Sequence, residues 1–108
     1  MNFEKAIEEF EGDKEFLMEV LEGFLDNVRA QIETIHQAIS NGDAEVVWKE
    51  AHSIKGGAAN LTADKLSKIA FELEKVGKAG TLEEGGEVLE RLKKEFYRLE
   101  NFARGIDG

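Results

Sequence analysis

Apolar residues recur along this chain at spacings of three and four, without strand-like alternation. That is the period of amphipathic helices. Phe3, Ala6, Ile7 and Phe10 predict a short first helix over Asn2 to Phe10, ended by Gly12. Asp13 then reads as an N-cap, with Glu15 in the first turn, where the helix dipole favours an acid. From Lys14 to about Ser40, Leu17, Leu21, Phe24, Val28, Ile32, Ile35 and Ile39 form one stripe, widened by Phe16, Val20 and Leu25. The pattern predicts a long helix with a broad buried face. Gly23, inside it, is ascribed to close packing against another helix.

Asn41-Gly42-Asp43 reads as a turn, with Gly42 as a left-handed C-terminal cap and Asp43 as the next N-cap. At about 100° per residue, Ala44, Val47, Ala51, Ile54 and Ala58 share the core face of a third helix that ends near Asn60. Thr62 or Asp64 starts a fourth, with Leu66, Ile69, Ala70, Leu73 and Val76 facing inward up to Gly77. Lys78-Ala79-Gly80 is expected to be a loop. A last helix begins around Thr81 or Leu82, or nearer Glu87 because Gly85 and Gly86 weaken its first turn. It runs to about Arg104 and is expected to bury Val88, Leu89, Leu92, Phe96, Leu99 and Phe102. The predicted fold is all-α: an antiparallel up-and-down four-helix bundle with a short extra N-terminal helix, one domain over residues 1–108.

Composition narrows the function. The 108 residues include no cysteine, so disulfides and thiolate metal sites are out of reach, and no proline, which suits uninterrupted helices. A chain of this length can bury about 65% of the surface it exposes when unfolded. The start, Met-Asn-Phe-Glu-Lys, resembles no signal or transit peptide, and no apolar run reaches membrane-spanning length. The expectation is a cytoplasmic protein with no membrane partner. A net charge of −9 argues against general nucleic-acid binding, which needs clustered Lys and Arg.

The stretch from Ala51 to Leu61, Ala-His-Ser-Ile-Lys-Gly-Gly-Ala-Ala-Asn-Leu, breaks the helical rules. Gly56 and Gly57 each cost about 1 kcal/mol relative to alanine in a helix interior. One turn before them, His52 lies off the core face, on a stripe with Glu45, Trp48, Lys49, Lys55, Gly56 and Ala59. A local rule broken without a folding benefit tends to mark function. The chemistry that fits is transient phosphorylation of an imidazole nitrogen, since neutral imidazole carries a free lone pair near pH 7. Lys55 can partly neutralise the added phosphoryl group, and Gly56 leaves room for a partner's active site. The other ring nitrogen benefits from an acceptor that fixes the tautomer. Glu74, beside the core positions Ala70 and Leu73, is a candidate for that role and equally a candidate surface carboxylate. Trp48, Lys49 and Ala59 are candidate docking residues, with Trp48 equally readable as a half-buried packing residue.

His52-Ser-Ile-Lys55-Gly56-Gly57-Ala-Ala-Asn-Leu, followed by Ala70 to Leu73-Glu74, resembles the signature of histidine-containing phosphotransfer (HPt) domains of two-component phosphorelays. The resemblance is specific over about Ala51 to Glu74. It implies that His52 accepts the phosphoryl group, Lys55 is its charge partner, Gly56 and Gly57 give clearance, and Glu74 orients the ring. It further implies a phosphocarrier without cofactor whose partners are a response-regulator receiver domain, a sensor histidine kinase, or both; a bundle of this kind is expected to be a monomer. The family usually has glycine at the position of Thr62. Here Thr62 is expected to cap the fourth helix, with a changed turn.

No Gly-rich nucleotide loop and no carboxylate cluster at metal-ligand spacing is present, so intrinsic ATP-dependent kinase activity is not expected. The phosphorylated dimerisation helices of sensor kinases place an acid beside the histidine and a proline soon after, whereas Ser53 follows His52 here. From another class, a helical-bundle interaction module that never sees phosphate would use the same exposed patch. His36 has no histidine at i+3 or i+4 and reads as a surface residue rather than a metal ligand.

Overall fold

The computed structural model describes the backbone of residues 1–107 and the side chains of residues 1–105. Five α-helices follow one another: α1 (Phe3–Glu9), α2 (Lys14–Asn41), α3 (Ala44–Asn60), α4 (Asp64–Ala79) and α5 (Gly85–Asp107), with one 3-10 turn at Leu82–Glu84. No strand occurs among the described residues. The four long helices form a ring in which α2 packs on α3, α3 on α4, α4 on α5 and α5 on α2. This is the antiparallel up-and-down bundle expected from the short connections, with α1 as the extra helix against α2. At 1.5 Å per residue the 28-residue α2 runs about 42 Å, and it sets the long dimension of the molecule. Among the described residues no helix is long and apolar enough to cross a membrane.

The caps lie where the sequence puts them. The Asp13 carboxylate accepts the Phe16 N–H at the start of α2, and Asp43 does the same for Val46 in α3. Gly42 (φ +73°) closes α2 in the left-handed region, as expected. The other end of the α3–α4 hairpin differs. Lys78 and Ala79 belong to the last turn of α4, and Gly80 (φ +74°) caps it. Gly85 starts α5 instead of delaying it. The position is buried, and a Cβ there would stand 3.1 Å from Ile39 Cδ1, so small size at this contact outweighs poor helix propensity.

The core contains the expected stripes with small rotations. On α2, Leu17, Leu21, Leu25, Val28, Ile32, Ile35 and Ala38 are buried, while Phe24 and Ile39 sit at the margin and Phe16 is exposed, tilted against Phe10 at 5.6 Å. On α5, Leu89, Leu92, Phe96, Leu99 and Ala103 are buried; Val88 is half-buried and Phe102 exposed. Gly23 is exposed with nothing near the position of a Cβ, so it is not a packing glycine, and nothing in the structure explains it.

Thr62 does not cap α4. Ala63 occupies that position without a side-chain bond. Thr62 instead holds the left-handed backbone (φ +58°) that a glycine would adopt freely, at a cost of roughly 1–2 kcal/mol for a residue with a Cβ. Its buried hydroxyl accepts the Asn2 N–H at 3.0 Å and donates to the Asn2 carbonyl at 2.8 Å. Two hydrogen bonds to one residue tie the start of the chain onto the α3–α4 turn and offset the strain.

Candidate functional site

His52 projects from the middle of α3, off the face that buries Val47, Ala51, Ile54 and Ala58. Its side chain is 61% exposed, while the carboxylate it meets is 2% exposed. That carboxylate is Glu74, three residues before the end of the core stripe of α4. Glu74 Oε2 lies 3.0 Å from His52 Nδ1 and 3.3 Å from Lys78 Nζ, and Oε1 lies 2.6 Å from Lys55 Nζ. Oε1 is buried and has no well-aligned donor, so the Lys55 ammonium holds it by charge and proximity. Glu74 is therefore the buried partner of the ring rather than a surface carboxylate.

The electrostatics follow from these contacts. Burial by itself raises the pKa of a carboxyl, because the charged form loses water. Here the contacts with Lys55, His52 and Lys78 together outweigh burial and hold Glu74 at about 2. An ionised carboxylate can only accept, so Nδ1 must carry the hydrogen in the His52–Glu74 bond. In the neutral ring the lone pair then resides on Nε2, the nitrogen turned away from Glu74. No hydrogen bond to Nε2 is formed among the described residues.

The two glycines separate. A Cβ on Gly56 would meet nothing within 4 Å, whereas one on Gly57 would lie 2.6 Å from Phe24 Cε1. Gly57 therefore has a folding reason, the close seat of the Phe24 ring, and only Gly56 is left as open clearance beside His52. Next to them a groove between α2 and α3 is lined by Phe24, Asn27, Gln31, Ser53 and Gly57, among others.

Trp48 is half-buried and does pack. A Cβ on Gly77 would come within 2.7 Å of the Trp48 Cβ and backbone nitrogen, so α3 and α4 approach backbone to backbone there. Lys78 lies over the Trp48 ring at 5.1 Å. Lys49 is exposed and paired with Glu45 at 2.6 Å, and Ala59 is exposed farther along the same helix; neither meets Glu74. His36 is exposed, and no group of three or more potential metal ligands occurs among the described residues.

Three neighbours of the site escaped the sequence reading. Lys78 lies in the last turn of α4 and not in the loop that the pattern predicts, and its position four residues after Glu74 is the helical signal for an ion pair. Phe71 carries Lys55 at 4.8 Å and Lys75 at 4.6 Å over its ring. Ser67 Oγ donates to the Lys55 carbonyl at 3.0 Å and pins α3 to α4 one turn from the histidine.

The profile of the Hpt domain family matches residues 19–102, most of the chain. The chain belongs to the Hpt domain family. Histidine phosphotransfer in two-component phosphorelays is the role of this domain, and Hpt proteins are phosphocarriers that interact with receiver domains and kinases. Among solved structures, histidine-containing phosphotransfer protein B from Pseudomonas aeruginosa PAO1 shares the fold: TM-score 0.86 at 24% identity, over 94% of this chain and 89% of that one. No curated protein matches the sequence.

Proposed function

We propose that His52 is the residue of this Hpt domain that accepts the phosphoryl group, through Nε2, and passes it on. The observation that carries the reading is the His52–Glu74 bond, in which a buried, ionised carboxylate fixes the hydrogen on Nδ1 and leaves the nucleophilic lone pair on the exposed side. In the accepting step the Nε2 lone pair attacks phosphorus. The N–P bond forms while the bond from phosphorus to the donor oxygen breaks, and that electron pair leaves on the donor oxygen, the carboxylate oxygen of a receiver's phospho-aspartate or the bridging oxygen of the ATP in a kinase's site. No proton has to move: the ring becomes a phosphorylated imidazolium whose Nδ1–H stays on Glu74, where the carboxylate balances the new positive charge. The reverse step returns the pair to Nε2. Lys55, on the same helix face one turn away, neutralises part of the phosphoryl charge.

Gly56 provides clearance for the partner. The docking face takes in His52, Trp48, Lys49 and Ala59 together with the groove lined by Phe24, Gln31 and Ser53. The unit that does this is the single domain of residues 1–108, a cytoplasmic monomer without cofactor, kinase activity of its own, nucleic-acid partner or membrane partner.

The test is a transfer assay with a panel of phosphorylated receivers and an autophosphorylating kinase. Acid-labile, base-stable label on the wild type and none on His52→Gln is the expected result. Binding of a receiver without label from any donor would instead favour a pure interaction module.

A further inference from the structure

Glu74 has more positive charge around it than it needs. One buried carboxylate faces two ammonium groups, Lys55 on Oε1 and Lys78 on Oε2, besides the imidazole N–H. One cation would balance it. The two lysines differ in what else they can reach. Lys55 stands at i+3 from His52 on α3, on the helix face that would receive a phosphoryl group. Lys78 stands at i+4 from Glu74 on α4, and the Trp48 ring beneath it holds it on the carboxylate side.

Resting on the assignment of His52 as the phosphoryl acceptor, we propose that Lys78 is a positioning residue, the standing counter-ion of Glu74 that releases Lys55 to the phosphoryl group. If Lys55 were the only ammonium, turning it toward a dianion on Nε2 would leave Glu74 facing only the phosphorylated ring, whose positive charge its own phosphoryl group offsets, and a buried carboxylate so placed tends to take up a proton. A protonated Glu74 loses its hold on Nδ1–H at the step where the ring needs it. With Lys78 in place the carboxylate stays ionised throughout, and Lys55 is free to be shared.

Lys55→Gln reproduces the departure of Lys55 without any phosphate. Carbon-13 titration of the Glu74 carboxyl should then show it still ionised at neutral pH in Lys55→Gln and in Lys78→Gln. Its midpoint should rise at least tenfold in proton affinity only in the double variant. A midpoint that moves as far in Lys55→Gln as in the double variant would overturn the proposal, whether or not His52 takes label. In the labelled protein, Lys78→Gln should shorten the phosphohistidine lifetime about threefold and shift the Nδ1–H proton resonance. The unlabelled Lys78→Gln protein should show a smaller shift of that resonance, since Lys78 and Nδ1–H share Oε2, and Lys78→Arg should restore the lifetime and the resonance. An unchanged lifetime and resonance in labelled Lys78→Gln would equally refute it. Absence of label on the wild type would remove the acceptor assignment, and the carboxyl titration would still decide the role of Lys78.

Discussion

Gly77 and Trp48 set the distance between the two helices that make the site. The Gly77 position faces the Trp48 backbone so closely that a Cβ would lie 2.7 Å from its nitrogen, and Glu74 is three residues upstream on the same helix. Because backbone cannot swing aside as a side-chain tip can, Gly77→Ala must push α4 off α3. The expected loss is roughly 1–3 kcal/mol of stability, read as a lower melting temperature. Phosphorylation of His52 should also slow, because the 3.0 Å bond to Glu74 spans the helices being separated.

The adjacent glycines of α3 should respond in opposite directions. Gly56→Ala adds a methyl group into open space and removes a poor helix former, so stability should rise by up to about 1 kcal/mol. Transfer from a phosphorylated receiver should nevertheless slow, with binding weakened, since the clearance beside His52 is reduced. Gly57→Ala drives a Cβ into the Phe24 ring and should lower the melting temperature. Denaturation curves and receiver transfer rates on the two variants check both statements.

Acid should expose the energetics of Glu74. Its carboxyl is held at about 2 in the fold against an ordinary value of 4.5. A group with a depressed folded pKa stabilises the fold fully above its unfolded value, and that contribution is lost as pH falls toward the folded one. Glu74→Gln should therefore be less stable than wild type from pH 8 to 5, by a few kcal/mol on the order of that displacement. The two stability curves should converge between about pH 5 and 2. Urea melts at closely spaced pH values test this; a gap that persists unchanged at pH 2 would contradict it.

Thr62 links local strain to the first helix. Thr62→Gly relieves the left-handed backbone but removes both hydrogen bonds to Asn2 and adds freedom to the unfolded chain. The opposing effects should leave global stability within about 1 kcal/mol of wild type. The amides of residues 3–9 should exchange with solvent distinctly faster, as hydrogen exchange followed residue by residue would show.

Much of this architecture was written locally. Asp13, Gly42 and Asp43 work within a turn of themselves, so their roles could be read from spacing alone, and so could the stripes of Leu21, Val28, Ile54 and Leu92. His52, Lys55 and Gly56 are likewise legible as a motif. What escaped reading depends on partners distant in sequence. Gly57 answers to Phe24 and Gly85 to Ile39, while Gly77 answers to Trp48, and no window along the chain contains both members. Thr62 looked like a cap because its hydroxyl is suited to one, but its partner is Asn2, 60 residues away. Glu74 was undecided for a geometric reason: a position at the margin of a helical stripe faces solvent or a neighbouring helix according to a rotation of a few tens of degrees. Lys78 is hidden because a glycine at Gly77 reads as a helix end, whereas it is a helix contact and Gly80 is the end.

Trp48 is the sole indole of the chain, and it lies at the rim of the site with Lys78 over its ring. The protein's tryptophan emission consequently comes from one place, beside the cation that faces Glu74. A change in the charge or distance of that cation alters the field on the excited indole. The molecule thus has an optical probe of its own beside His52 and Glu74, usable without labels in the transfer assays.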